Sequence, residues 1–282
     1  KSKKDFESFF GRNVFKQTKN YYAVAKKSKV NFKKYSKFLK KNRLYFKESN
    51  ILNKVSTVEK SIEVDEKILD FFFTKKKLLK EIKKRKINLY LNKEFKRSNL
   101  KSYDRVLIAT YSNNNFVLSN LGIKNIKINK YQLVEKIVIK LPKEYRRKSY
   151  VVIDGNFVCV DPFLGTKYHL LSDVKLSKIE TLISKYPNFS SNKKKYLNKG
   201  IIKNKKISRF KEFISNSSKY LPFLKNAKYI GSMFVVRTLK INKENTDERV
   251  TSVNYHNKKI ISVFSGKWNN CIYLAKRLDL KK

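Results

Sequence analysis

The turn Ser265-Gly266-Lys267-Trp268 combines residue types that bring backbone close to a ligand. It follows Ile260, Ile261, Val263 and Phe264, a β-branched and aromatic run expected to form a buried strand. It precedes Cys271, Ile272, Leu274, Ala275 and Leu278, whose spacing of three or four predicts one apolar helix face. Gly lets backbone pass close to a bound group. A helix start offers unpaired N–H groups and a positive dipole end, so the turn suits an anionic or electron-rich partner. An ordinary strand–turn–helix carries the same pattern.

Two other stretches hold candidate chemistry. Val106-Leu107-Ile108 is an uninterrupted apolar run, as expected of an interior parallel strand. Ala109 and Thr110 close it with small residues, at the carboxyl edge where α/β sheets bind ligands. Arg237 ends the strand expected from Tyr229 onward. A guanidinium there suits a carboxylate, and a surface strand-end Arg is the competing reading. Cys159 and Cys271 supply neither a disulfide framework nor a metal cluster, so no metal site is expected and a reducing, cytoplasmic setting is the default.

The elements that must position these residues fall into two kinds. The first third predicts an amphipathic helix within 1–19, a strand at Tyr21–Ala25, a helix over 32–39, and a strand from Val55 to Val64. Asp65 then N-caps a helix through Ile82, and Ile87–Leu91 alternates as the next strand, giving a βαβ crossover. From Lys124 the pattern changes to antiparallel sheet. Strands are expected at 134–141, 150–153 and 156–160, with an Asp154-Gly155 hairpin and a second turn at Asp161–Gly165 before Tyr168-His169-Leu170-Leu171. Nothing in the sequence fixes the side on which Tyr168 and His169 face. Residues 175–186 and 193–213 are read as helix or loop.

The 282 residues suffice for one large or two smaller domains, and 41% hydrophobic residues argue against disorder. No apolar run is long enough to span a membrane. The net charge is +46, yet eleven of the 68 basic residues are Arg and 57 are Lys. Clustered cations imply a polyanion partner such as RNA, with Lys193–Lys206 as the densest tract. Dedicated nucleic-acid readers favour Arg, so A/T-rich codon usage weighs more as the source of the lysines.

Parallel sheet, antiparallel insertion, and a return strand with a Gly loop and helix form an order that resembles the D-amino-acid-oxidase-like superfamily of FAD-dependent oxidoreductases. The resemblance rests on Tyr21–Ala25, Tyr103–Thr110, Val152–Phe157 and Asp247–Lys267 in sequence. It implies an α/β (α+β) protein: an FAD-binding parallel-sheet domain from 1–122 and 241–282, and an antiparallel-sheet substrate domain over 123–240. It further implies hydride transfer from an amine or 2-hydroxy acid to flavin. Ala109 and Thr110 would pass near the FAD diphosphate and Phe95 near its adenosine end. Gly266, Lys267 and Trp268 would face the flavin pyrimidine, and Arg237 would hold the carboxylate of a small-molecule substrate.

One feature departs from the family. Its G-x-G-x-x-G unit is not among these residues, and Gly11 is the only Gly before Gly122. The chain opens on Lys, and the expectation is either a missing first segment or a protein that has lost that unit. The alternative function is a cofactor-less basic structural or RNA-associated protein derived from the same fold.

Overall fold

The computed structural model describes every residue except 1, 53, 154, 156, 242–249 and 279–282, and omits the side chains of 2, 3 and 268. In chain order the elements are α1 (Ser2–Phe10), β1 (Phe15–Gln17), β2 (Lys19–Ala25), α2 (Phe32–Lys41), β3 (Phe46–Ser49), β4 (Val58–Val64), β5 (Lys67–Leu69) and α3 (Phe71–Lys84). Then come β6 (Val106–Ile108), α4 (Asn114–Asn120), β7 (Asn129–Lys140), β8 (Lys148–Ile153), β9 (Val158–Phe163), β10 (Tyr168–Asp173) and β11 (Lys178–Ser184). The last are α5 (Ser191–Lys194), α6 (Phe210–Ser217), β12 (Lys228–Leu239), β13 (Thr251–Tyr255), β14 (Ile260–Ser265) and α7 (Cys271–Arg277). Parallel and antiparallel pairing are both present, so the mixed α/β class holds.

The large sheet runs β12, β7, β10, β9, β8, β2, β4, β3, with β11 sharing an edge of β7 with β10. Every pair in it is antiparallel except β2 with β8. Burial alternates along its middle strands, so β9 and β10 bury every second residue and leave the others half-buried. The buried set includes Tyr150, Val152, Val158, Val160, Leu171 and Ile137, and packs against Phe210, Phe213, Leu221 and Leu224. That is the back of the sheet. The front carries the half-buried set, Cys159, Asp161, Leu170 and Met233 among them. A small sheet, β13-β14-β6, pairs β14 antiparallel with β13 and parallel with β6.

Several expectations change. The strand at Tyr21–Ala25 belongs to the large sheet, because β2 pairs along β8 and β4 and is buried on both faces. Residues before 122 therefore supply β2, β3 and β4 to the sheet assigned to 123–240. Asp65 does not cap a helix. Residues 67–69 instead pair with β1, and Asp70 caps α3 by accepting from the Phe73 N–H at 2.9 Å. Ile87–Leu91 is no strand, and Ile87, Leu89, Tyr90 and Leu91 are all exposed. Alternation alone cannot make a strand without a neighbouring edge to pair with, so the βαβ crossover is absent. Residues 178–184 form a strand rather than a helix or loop, and Asp161–Phe163 extends β9, moving the turn onto 164–167. Asp154 and Asn156, at the hairpin between β8 and β9, lie outside the described residues.

His169 settles on the back of the sheet, 2% exposed, with Nε2–H donating to the Tyr145 carbonyl at 3.0 Å. Burial holds its pKa below the ordinary 6.5, offset in part by that bond and by Asp161. The folded protein thus binds fewer protons here than the unfolded chain. The resulting stability is complete above about pH 6.5 and is lost as pH falls toward the lowered value. Melting temperature should decline between pH 7 and 5.5, and His169→Gln should flatten that decline. An unchanged slope in the variant would exclude His169 as its source.

Candidate functional site

β6 and β14 are parallel neighbours with Ser262 opposite Ile108, so Ala109 falls opposite Val263 and β14 runs on to Ser265. Gly266 therefore lies at the same end of the small sheet, three residues beyond Ala109. β6 is the outer strand of three and Leu107 is 42% exposed, so the expected interior strand is an edge strand. Asn114 ties the edge together. Its Oδ1 accepts from the Thr110 N–H at 2.9 Å and from the Thr110 hydroxyl at 3.0 Å, while its Nδ2 donates to the Val263 carbonyl at 2.7 Å.

Tyr111 follows with φ +53°, an uncommon conformation for a bulky side chain. Its ring stacks on Phe264 at 5.4 Å, and its hydroxyl accepts from the Thr238 N–H at 3.1 Å and donates to the Thr238 carbonyl at 3.3 Å. These contacts repay a strained backbone by fastening the small sheet to β12. Tyr111, Arg237, Lys240, Phe264 and Gly266 line a hollow of about 220 Å³. The Lys240 ammonium lies 4.8 Å over the Phe264 ring and donates to Asn129 Oδ1 at 3.1 Å. Burial, and then Lys127, lower its pKa.

The structure thus brings Arg237 and Gly266 to one hollow and leaves other expected contacts elsewhere. Phe95 packs beside Tyr103 and into the apolar cluster of Ile108, Leu118 and Ile260. Thr110 spends its N–H and its hydroxyl on Asn114. The Gly266 N–H donates to the Val250 carbonyl at 3.1 Å, and the Lys267 N–H donates to Ser265 Oγ at 3.2 Å. Trp268 opens a 3-10 turn, and its side chain is outside the described set.

By itself this hollow is smaller than ligand pockets, which run to about 300–1,000 Å³, and the N–H groups of Gly266 and Lys267 are already bonded within the protein. A neighbouring cavity of about 560 Å³ shares Tyr111, Lys240, Val250 and Phe264 with it. Among the described residues no group of three or more His, Cys, Asp or Glu is placed to hold a metal, and no helix is long and apolar enough to cross a membrane. In the lysine tract, Lys195 lies 5.2 Å over the Tyr196 ring and Lys205 lies 5.3 Å over that of Phe210.

A larger cavity, about 690 Å³, opens on the front of the large sheet and went unread in the sequence. Phe163, Leu170 and Met233 give it apolar walls, while Tyr22, Glu66, Cys159 and Asp161 supply polar groups. Asp161 accepts from Ser149 Oγ at 2.8 Å and from Cys159 Sγ at 3.0 Å, and Glu66 accepts from the Tyr22 hydroxyl. Burial pushes the Cys159 thiol up, as does neighbouring Asp161. Burial also raises Tyr22, reinforced by its bond to Glu66. Both groups stay protonated at neutral pH and act as donors. The available signal was the period-two alternation of β9, whose odd positions Cys159, Asp161 and Phe163 share one face.

No protein-family model matches the sequence, and no curated protein matches it. Solved structures do. L-proline dehydrogenase from P. horikoshii superposes with a TM-score of 0.65 at 13% identity, over 95% of this chain and 73% of that one. Glycine oxidase from Geobacillus kaustophilus gives 0.59 at 7% identity, over 95% and 71%. Dithionite-reduced L-alpha-glycerophosphate oxidase from Mycoplasma pneumoniae, with FAD bound, gives 0.62 at 10% identity, over 97% and 76%. At such identities the likeness is one of architecture: the chain shares the overall fold of these dehydrogenases and oxidases.

Proposed function

We propose that the protein is an FAD-dependent oxidoreductase acting on a small amine or 2-hydroxy acid, with Arg237 as the group that receives a substrate carboxylate. The observation that carries this reading is a fold shared along nearly the whole chain with dehydrogenases and oxidases of small molecules. Local support comes from the shared edge of β6 and β14, and from Arg237 lining the same hollow as Gly266. No step is assigned to Gly266 or Lys267, whose N–H groups are spent.

That same observation favours a second reading, a cofactor-less derivative of the fold. Titration of the 282-residue chain with FAD in 0.5 M salt separates the two, since salt removes non-specific attraction of the anion to a +46 protein. On the first reading, FAD at a hundred times Kd stabilises the fold by about 2.7 kcal/mol and raises the melting temperature by roughly 5 °C or more. No rise, and no flavin absorbance retained after gel filtration, would leave the cofactor-less reading. In the same assay Arg237→Ala should leave FAD uptake unchanged while weakening carboxylate binding at least tenfold; equal loss of both contradicts the assigned role.

A further inference from the structure

We infer that the cavity on the front of the large sheet is a binding site for an amine, a ligand with an apolar body and one protonated nitrogen. At about 690 Å³ it lies within the range of small-molecule sites. Phe163, Leu170 and Met233 provide the apolar walls that such a body needs.

Charge selects the nitrogen. Acidic residues number 22 against 68 basic ones, yet Glu66 and Asp161 converge on this cavity. Neither forms an ion pair with a described Lys or Arg. A carboxylate offers about four acceptor positions. Asp161 uses two, for Ser149 and Cys159, and Glu66 uses one, for Tyr22. The remaining positions match the three donors of an ammonium. Because Tyr22 and Cys159 stay protonated, they hold the carboxylates in place without adding charge.

Two lysines stand nearby. Lys67 is on the rim and exposed, where water and salt screen it. Lys136 is half-buried and faces the same side as Met233 from the neighbouring strand, so it is the cation that competes. Arg237 lies four residues beyond Met233 along β12, about 13 Å away along the backbone, and lines the separate hollow rather than this cavity. A carboxylate in this cavity would meet two like charges.

The site stands whether or not the protein holds a flavin. The cavity is distinct from the hollow at Arg237, and its ligand is not the carboxylate-bearing substrate proposed above.

Three probes of one shape test it: 3-phenylpropylamine, 3-phenylpropan-1-ol and 3-phenylpropanoate, titrated calorimetrically into the full chain at 0.15 M salt without FAD. A protein of charge +46 attracts anions and repels amines over most of its surface, so amine selectivity reports a local site. The amine should bind at one saturable site, the alcohol at least tenfold more weakly, and the carboxylate more weakly still. Asp161→Asn should cost the amine at least tenfold and leave the alcohol unchanged. Glu66→Gln, at an exposed position, should cost the amine about threefold and carries the test if Asp161→Asn fails to fold. Met233→Trp should narrow the cavity and weaken both ligands together. Tighter binding of the carboxylate, equal binding of amine and alcohol, or amine binding unchanged by both Asp161→Asn and Met233→Trp in folded proteins would each overturn the inference. Failure of FAD uptake would not touch it.

Discussion

Glu135→Ala should destabilise the protein by about 3 kcal/mol, the largest effect expected from a single polar side chain here. Glu135 is 1% exposed, on the back of β7. Its carboxylate accepts from Ser208 Oγ at 2.5 Å, from Ser232 Oγ at 2.5 Å and from the Arg209 N–H at 3.2 Å. Arg209 in turn donates from Nη1 to the carbonyls of Leu176 at 3.2 Å and Lys178 at 3.3 Å. One side chain therefore joins β7, β12 and the segment entering α6. Truncation removes the shared acceptor: the Ser208 and Ser232 hydroxyls, 3.0 Å apart, fall back on each other, while the Arg209 N–H loses its partner and the cavity left behind adds to a cost of about 1–3 kcal/mol per unmet group. Glu135→Gln keeps an acceptor oxygen and should lose about half as much. Urea unfolding measures both, and a loss below 1 kcal/mol for Glu135→Ala would show that water replaces the carboxylate without penalty.

A comparable loss, about 1–3 kcal/mol, is expected for Gly231→Ala. Gly231 sits at the register shift where β12 meets β7, with a second backbone lying across it. Ile202 and Ser232 exchange N–H···O bonds of 2.9 Å in both directions beside it. An added Cβ would come 2.5 Å from Ile201 Cγ2 and 2.9 Å from the Ile202 carbonyl oxygen. The methyl can swing away, whereas the carbonyl is held in its bridge, so the 201–202 segment must lift. Melting temperature should fall by several degrees, and amide exchange at Ile202 and Ser232 should accelerate. Protected amides at those two positions would argue against the strain. Because Ser232 also donates to Glu135, the double variant should lose less than the sum of the two single losses.

Neither residue was singled out in the sequence, and the reason is common to both. Glu135 reads as an acidic interruption in an apolar strand, and Gly231 as a small residue in another. What makes them structural is the chain that crosses them from residues 201–209, at separations from Glu135 that no local pattern encodes.

Local chemistry, by contrast, was legible. The β-branched runs of β7, β12 and β14 form strands because such residues suit a pleated surface whether buried on one face or two. The amphipathic spacing after Asn31 becomes α2, with Asn31 Oδ1 accepting from the Lys34 N–H at 2.9 Å. The apolar runs before Ala109 and Gly266 also read as parallel strands, and β6 and β14 pair in parallel, although the register leaves Gly266 three residues beyond Ala109.

The sequence by itself determined many of the strands and helices, β7, β12, β14 and α2 among them, since apolar period and capping act over a few residues. Only the tertiary structure decided which strand lies beside which. It moved β2 into the large sheet, left 87–91 without a partner, and closed the donors of the Gly266 turn on Val250 and Ser265. It also assembled Tyr22, Glu66, Asp161 and Met233 into one cavity. Strand pairing and donor satisfaction depend on what long-range folding brings within 3 Å, and no window of local sequence contains that information.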